Sequence, residues 1–214
     1  MVRQKRIGIT MRVDQAQGYS ERRDALAQDW QVFMKFALPE VHWMPIPNIG
    51  EQIVDFIKEW NLEGIIFSGG NDIGSNEQRD MTEREILSFA LSNKFSIFGV
   101  CRGLQLLQTY FGGRIETCSS EIHVARKHKV DLINNDFYDS QWPREIIVNS
   151  YHNFGIKEEA LNNKLISFAR TNDGWVEGVV VKDYPIVAVM WHPERGRPFR
   201  EFDRELVRKC FGLE

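Results

Sequence analysis

One of the three cysteines lies in a context typical of a reactive thiol. The segment Phe98-Gly99-Val100-Cys101-Arg102-Gly103-Leu104-Gln105 passes from an apolar run directly into a predicted helix, which Gly112-Gly113 ends. Glycines on both sides of the cysteine relieve the crowding of a sharp strand-to-helix turn, the nucleophile elbow, and the helix N-terminus favours the thiolate. A lone cysteine in a strand is more often a small buried hydrophobe, but this context predicts a nucleophile at Cys101. Cys118 and Cys210 lack it and are predicted to be structural.

A histidine near the carboxyl terminus is suited to complete acyl-transfer chemistry with such a thiol. Hydrolysis through a thiolate needs a group that protonates the leaving amine and later deprotonates a water molecule. His192 follows an apolar run, and only Pro193 separates it from Glu194. In an extended segment residues i and i+2 share one face, so the carboxylate would orient the imidazole. Alone, His-Pro-Glu is more typical of a turn after a strand, but with the elbow it predicts a Cys101–His192–Glu194 triad.

Two backbone amides are candidates for stabilising the oxyanion of a tetrahedral intermediate. One is the N–H of Arg102, directly after the nucleophile. The other is expected in Ser68-Gly69-Gly70-Asn71, because adjacent glycines allow the backbone to approach a substrate closely. An ordinary strand-to-helix turn is the alternative interpretation of that loop.

The elements that must position these residues are predicted from hydrophobic periodicity. Short apolar runs alternate with amphipathic stretches in the first half, as in βα units on a mostly parallel sheet. Strands are predicted at Ile7–Met11, Val41–Ile46, Gly64–Phe67 and Phe95–Val100, with helices from Ser20 to about Ala37, at Ile53–Trp60 and at 80–93. Further strands are predicted at Val130–Ile133, Ile146–Val148, Leu165–Ala169, Trp175–Val181 and Ile186–Trp191, before a helix at Arg200–Phe211. No repeat or linker divides the chain, so 1–214 is predicted to form a single domain.

Composition excludes several classes of protein. The chain has 214 residues, 43% of them hydrophobic, and a formal net charge of −3. That charge offers no bulk attraction for nucleic acid or an anionic membrane, and the longest apolar runs are far too short to span a bilayer. Three cysteines, with no secretory signal, favour a soluble protein of the reducing cytoplasm. The oligomeric state is not predicted.

Four segments resemble the class I glutamine amidotransferase-like family, in particular its stand-alone γ-glutamyl hydrolase branch. They are Phe67–Gly74, Gly99–Gln105, Asn149–Gly155 and Trp191–Glu194. The resemblance implies a flavodoxin-like, mostly parallel sheet with helices on both faces. It also implies hydrolysis of a small-molecule γ-glutamyl amide through a thioester, without a cofactor or metal.

The same resemblance assigns further residues by position. Gly70 and Arg102 would donate the oxyanion-binding N–H groups, and Gln105, His152 and Asn153 would contact the glutamyl group. Arg102 departs from many glutamine-processing members, which carry a smaller or neutral residue there.

The charged segment Tyr19–Asp24 has no counterpart in this chemistry. It is either a solvated first helical turn or a specificity segment, in which Arg22 and Arg23, together with Arg102, would bind a diphosphate on the leaving group.

Three other interpretations remain open at this point. The first makes the chain the glutaminase component of a two-part synthetase, with the same triad, and the second makes it a non-catalytic relative that binds a ligand. The third, a metal site at His123 and His128, is disfavoured, because the basic run Arg126–Lys129 repels a dication. That run is expected to be a solvated face or a phosphate-binding segment.

Overall fold

The structure, a computed structural model, describes residues 4–118, 124–133, 137 and 141–213. The strands are β1 (Arg6–Thr10), β2 (Arg12–Gln15), β3 (Arg22–Ala25), β4 (His42–Ile46), β5 (Gly64–Phe67), β6 (Ser96–Val100), β7 (Glu116–Thr117), β8 (Val124–Leu132), β9 (Glu145–Tyr151), β10 (Phe154–Gly155), β11 (Leu165–Arg170), β12 (Val176–Val181) and β13 (Ile186–Val189). The α-helices are α1 (Asp29–Ala37), α2 (Ile53–Glu59), α3 (Glu77–Asn93), α4 (Arg102–Tyr110) and α5 (Glu201–Cys210).

The central element is a nine-stranded sheet with the order β4-β1-β5-β6-β13-β12-β11-β8-β9. The first five strands in this order run parallel. The other four extend one edge in antiparallel pairs. Strands β5 and β13 are buried along their whole length, as expected for parallel strands covered on both faces. The predicted α/β class with a parallel core is confirmed.

Helices cover both faces of the parallel core. The chain passes from β1 through α1 to β4 and then back through α2 to β5, so the two crossovers run in opposite directions across the sheet. Because such crossovers are right-handed, α1 and α2 lie on opposite faces. Helix α5 packs against α1, and α3 packs against α2. None of the helices among the described residues is both long and apolar enough to cross a membrane.

The predicted helix beginning at Ser20 is wrong. Residues 22–25 form β3, which pairs antiparallel with β2 in a small separate sheet, and α1 begins only at Asp29. The buried residues of α1 are Trp30, Phe33, Met34 and Ala37, so the helical periodicity starts there. Tyr19–Asp24 therefore belongs to an exposed hairpin rather than to a first helical turn.

The residues with predicted chemistry follow three neighbouring parallel strands. Strands β1, β5, β6 and β13 are adjacent and parallel, so their carboxyl ends meet at one edge of the sheet. Ligands of open α/β sheets bind at that edge. The segments after β5, β6 and β13 contain Gly70, Cys101 and His192, respectively.

Candidate active site

Cys101 occupies the sharp turn between β6 and α4. Its backbone has φ 51° and ψ −94°, outside the regions that L-residues favour, at a cost of about 1–3 kcal/mol. A Cβ on Gly99 would lie 2.9 Å from the Cβ of Ala188, and one on Gly103 would lie 3.0 Å from the Cβ of Phe67. Both glycines are thus needed for close packing of the turn, as the elbow motif predicts.

His192 and Glu194 form a close pair. The imidazole Nδ1 lies 2.7 Å from Oε1 of Glu194, and both side chains are buried. The segment is not extended as predicted, because Pro193–Arg195 forms a 3-10 turn. That turn, rather than strand alternation, brings the carboxylate to the ring.

The position of His192 is also determined by groups outside the pair. Asn149 on β9 accepts a hydrogen bond from the backbone N–H of His192 at 2.8 Å and donates one to its carbonyl at 2.8 Å. A Cβ on Gly69 would lie 2.6 Å from Cε1 of His192, so the imidazole rests directly on the backbone of the oxyanion loop.

The electrostatic environment keeps His192 protonated. Burial alone would lower its pKa, but the charge of Glu194 and a hydrogen bond with Cys101 raise the pKa to about 9. Near neutral pH the imidazolium therefore lies against the sulfur of Cys101. This arrangement holds a proton beside the sulfur, where a leaving group could take it.

Arg79 orients the oxyanion loop after β5. Its guanidinium donates to the carbonyl oxygens of Ser68 at 2.6 Å, Gly69 at 3.3 Å and Gly70 at 2.9 Å. In a trans peptide the C=O and N–H groups point in opposite directions. Because the carbonyl of Gly69 faces Arg79, the N–H of Gly70 points away from it. The N–H of Arg102, at the first position of α4, has no acceptor within the helix.

Arg79 and Arg102 belong to a buried ion network that sequence reasoning did not predict. Glu83 accepts from Nε of Arg79 at 3.1 Å and lies 3.2 Å from Arg102, which also pairs with Asp80. Arg102 is only 1% exposed, so its guanidinium is not available to a leaving group, contrary to the prediction. The predicted role of the Arg102 backbone N–H in stabilising the oxyanion does not depend on the guanidinium.

A cavity of about 190 Å³ brings together most of the predicted residues. Its lining includes Cys101, His192, Gly70, Gln105, His152 and Asn153. The side-chain amide of Gln105 donates to the carbonyl of Phe154 at 2.9 Å, which joins α4 to the segment that contains His152 and Asn153. Arg12, Tyr151 and Arg195, which sequence reasoning did not single out, also line the cavity.

Arg22 and Arg23 do not reach this cavity. Arg22 lines a separate cavity of about 300 Å³, together with Asn48 and Gln78. The guanidinium of Arg23 pairs with Glu21 and contacts the hydroxyl of Tyr19. The arginine of this hairpin that does face Cys101 is Arg12, on the partner strand β2.

A second buried cluster lies behind the cavity. Oε1 of Glu177 lies 3.2 Å from Nε2 of His128 and 3.6 Å from Nε2 of His152, while Sγ of Cys118 lies 3.8 Å from Nδ1 of His152. Burial would raise the pKa of Glu177, but both histidines lower it, with the net shift downward. His128 is thus part of the interior and not of a solvated basic face.

The other two cysteines lack the features of Cys101. Burial raises the pKa of Cys118 and of Cys210 to about 12, so both remain thiols at neutral pH. Within the described residues, no group of histidine, cysteine and acidic side chains is arranged to hold a metal ion. His123, considered above as a ligand, lies outside the described residues.

The chain belongs to the Peptidase C26 family, a class I glutamine amidotransferase-like family whose model matches residues 6–194. It is 32% identical over 214 aligned positions to the γ-glutamyl-CDP-amidate hydrolase of Campylobacter jejuni, covering 97% of this chain and 98% of that protein. It is 28% identical to the γ-glutamyl-γ-aminobutyrate hydrolase PuuD of Escherichia coli over 75% of this chain and 72% of that one.

Solved structures share the fold. A crystal structure from Thermoplasma acidophilum, described as that of a GMP synthase component, matches with a TM-score of 0.75 and 20% identity, over 100% of this chain and 95% of the other. At that identity the likeness concerns the fold alone.

Proposed function

We propose that this chain hydrolyses γ-glutamyl amides through a thioester on Cys101. The observation that carries the proposal is the strained cysteine at the start of α4 against a buried His192–Glu194 pair with Nδ1 and Oε1 2.7 Å apart. Membership of the Peptidase C26 family and the activities for which two relatives are named support the γ-glutamyl class of substrate.

In the proposed mechanism the thiolate of Cys101 attacks the γ-carbonyl carbon. The N–H groups of Gly70 and Arg102 stabilise the resulting oxyanion. Collapse of this intermediate breaks the C–N bond, and the imidazolium of His192 gives its proton to the leaving nitrogen. Neutral His192 then takes a proton from water, which attacks the thioester, and breakage of the C–S bond releases glutamate and restores the thiolate. Glu194 orients the ring and stabilises its charge throughout.

The glutamyl group is assigned to the inner part of the cavity. Gln105, His152 and Asn153 line it beside Cys101 and offer polar groups to an amino-acid end. As the particular substrate we propose γ-glutamyl-CDP-amidate, which would yield glutamate and cytidine diphosphoramidate for capsule phosphoramidate synthesis. The supporting observation is 32% identity, over nearly the full length of both chains, to a hydrolase of that name.

The test is a steady-state assay of the purified protein alone. Glutamate release is followed with γ-glutamyl-CDP-amidate, other γ-glutamyl amides and glutamine. We expect turnover of the amides and poor use of glutamine. Slow hydrolysis of glutamine that a partner protein stimulates would instead favour the glutaminase component of a synthetase. No hydrolysis of any amide, with tight binding of one, would identify a non-catalytic relative.

A further inference from the structure

The cavity around Cys101 is too small to enclose both halves of a nucleotide-bearing substrate. Its volume is about 190 Å³, below the roughly 300–1,000 Å³ of pockets that enclose drug-sized ligands. A glutamyl group bonded to Cys101 fills most of this space. A large leaving group must therefore lie at the mouth, and the side chains there determine which leaving groups are accepted.

Arg12 lines this cavity with a partly exposed side chain. Its Cβ and Cδ pack over Gly70 of the oxyanion loop, where an added Cβ would meet them at 3.2 and 3.3 Å. The Arg12 side chain is 46% exposed, and its Nε pairs with Asp14 at 2.7 Å, whose side chain is 48% exposed. A solvent-exposed pair of this kind contributes about 0–1 kcal/mol. The guanidinium of Arg12 can thus leave Asp14 and bind a more highly charged anion at a small cost in free energy.

Arg195 also lines the cavity, close to the proposed proton donor. Its guanidinium carbon lies 5.0 Å from the ring centroid of Tyr151, and that ring is 5.7 Å from the ring of His192. Its Nε lies 3.5 Å from Oε1 of Glu194. Because His192 protonates the leaving nitrogen in the proposed mechanism, the leaving group departs past His192 and therefore past Arg195.

We propose that Arg12 and Arg195 form the leaving-group subsite and select γ-glutamyl amides whose leaving group carries a phosphate or diphosphate. This proposal rests on the proposed γ-glutamyl hydrolase function. Guanidinium groups bind phosphoryl oxygens in pairs, and two of them match the charge of a diphosphate. Among the residues that line the cavity Asp72 is the acidic one, and the charge of Arg102 is already paired with Asp80 and Glu83. Cationic side chains therefore outnumber acidic ones in the lining itself, while Asp14 beside Arg12 and Glu194 beside Arg195 lie outside it.

The test compares substrates that differ only in the leaving group. γ-Glutamyl-ethanolamine and γ-glutamyl-O-phosphoethanolamine contain the same amide, and the second adds one phosphate. γ-Glutamyl-γ-aminobutyrate supplies a carboxylate in place of the phosphate. We expect wild-type kcat/KM to be highest for the phosphorylated amide and higher for it than for the carboxylate.

The variants are R12Q, R195Q and the double variant, with R23Q as the matched control. Glutamine at position 12 retains the carbon atoms that pack over Gly70. Arg23 is on the same hairpin, and its side chain is 55% exposed and paired with an acidic neighbour, but it lies outside the cavity. We expect the kcat/KM ratio of phosphorylated to neutral amide to fall about 10- to 100-fold in the double variant, as for a lost charge-assisted hydrogen bond. R23Q should keep the wild-type ratio.

The outcomes separate this proposal from the proposed function. If the wild type hydrolyses neither amide, the γ-glutamyl hydrolase function is wrong. If it hydrolyses both with equal kcat/KM, or if R12Q and R195Q leave the ratio unchanged, the leaving-group subsite is wrong while the hydrolase function stands. Because Arg195 adjoins Glu194, R195Q could alter catalysis itself, so the result for R12Q is decisive. The melting temperature of R12Q shows whether that variant is folded.

Discussion

At the residue scale, the local environment of each cysteine thiol distinguishes the proposed nucleophile from the other two. All three are buried, but only Cys101 combines a positive φ, a helix N-terminus and a protonated histidine. For the other two, desolvation is the largest influence on the pKa and raises it, and neither has such a histidine to offset it. Burial by itself therefore does not distinguish the proposed nucleophile.

We predict that C101A is folded but has essentially no turnover, since no other described thiol is placed for attack. C118A and C210A should keep most of the activity, because both thiols are protonated at neutral pH. Glutamate release measures turnover, and mass-spectrometric mapping of iodoacetamide adducts at pH 7 identifies the reactive thiol. Substantial turnover by C101A would rule out the covalent mechanism.

We predict that kcat/KM falls as pH rises through about 9. The proton on His192 is needed by the leaving nitrogen, and it is lost when pH passes the raised pKa of about 9. In E194Q the largest raising influence is absent while burial still lowers the pKa, so the alkaline limb should shift by more than one unit to lower pH. H192A should be nearly as inactive as C101A, whereas E194Q retains more activity. An alkaline limb at the same pH in E194Q would contradict this assignment.

At the scale of elements, α3 supports the oxyanion loop without contributing a reacting group. Arg79 lies in its first turn, where Asn76 caps the helix by accepting from the N–H of Arg79 at 3.0 Å. The guanidinium then bonds three successive carbonyls of the loop. The orientation of the Gly70 amide thus depends on a residue that is not expected to touch the substrate.

We predict that R79K lowers kcat about 10- to 100-fold with little change in KM. Lysine retains the charge but lacks the planar fork that bonds the loop carbonyls and Glu83 together, and a misplaced oxyanion donor costs about that much. R84K, an exposed neighbour on the same helix, serves as the control. If R79K lowers the melting temperature and its kcat returns to the wild-type value at low temperature, the role of Arg79 is purely structural.

How far sequence reasoning succeeded depends on whether a feature is local. The elbow is a short motif whose geometry follows from adjacent residues, so the turn at Cys101 was predictable. The closeness of Glu194 to His192 was predicted from their spacing, but a 3-10 turn rather than an extended segment produces it. Arg79 and Glu83 were missed because charged residues four apart on a helix usually face solvent; the Asn76 cap was the available signal that the helix begins before residue 80. The hairpin of β2 and β3 was missed because its charged strands have no apolar face, so hydrophobic periodicity gives no signal for them.

At the scale of the whole molecule, the antiparallel extension supports the parallel core. Strand β9 supplies Asn149, which holds the backbone of His192, while β8 and β12 supply His128 and Glu177 behind the cavity. The position of His152 thus depends on a buried polar cluster formed by strands distant from Cys101 in the chain.

We predict that E177Q destabilises the protein by about 3 kcal/mol at pH 7.5, because it removes the buried carboxylate that the side chains of His128 and His152 both contact. The lowered pKa of Glu177 contributes stability that is present above its ordinary pKa of 4.5 and is lost as pH falls through the folded-state value. The difference in unfolding free energy from wild type should therefore shrink at pH 4. Urea denaturation at both values of pH measures it. E158Q, at an exposed pair with Arg170, should change little; an equal difference at both values of pH for E177Q would contradict the prediction.

The order of the sheet also has a consequence for synthesis on the ribosome. Strand β13 is made late in the chain but sits between β6 and β12, where Val189 pairs with Val100. A nascent chain that has emerged only as far as residue 118 carries Cys101 and Gly70 but lacks His192, Glu194 and Asn149. Its thiol then has no imidazole beside it. The rate at which Cys101 is alkylated near neutral pH should therefore change when β13 inserts into the sheet. That rate would report when a partly folded chain acquires an assembled site.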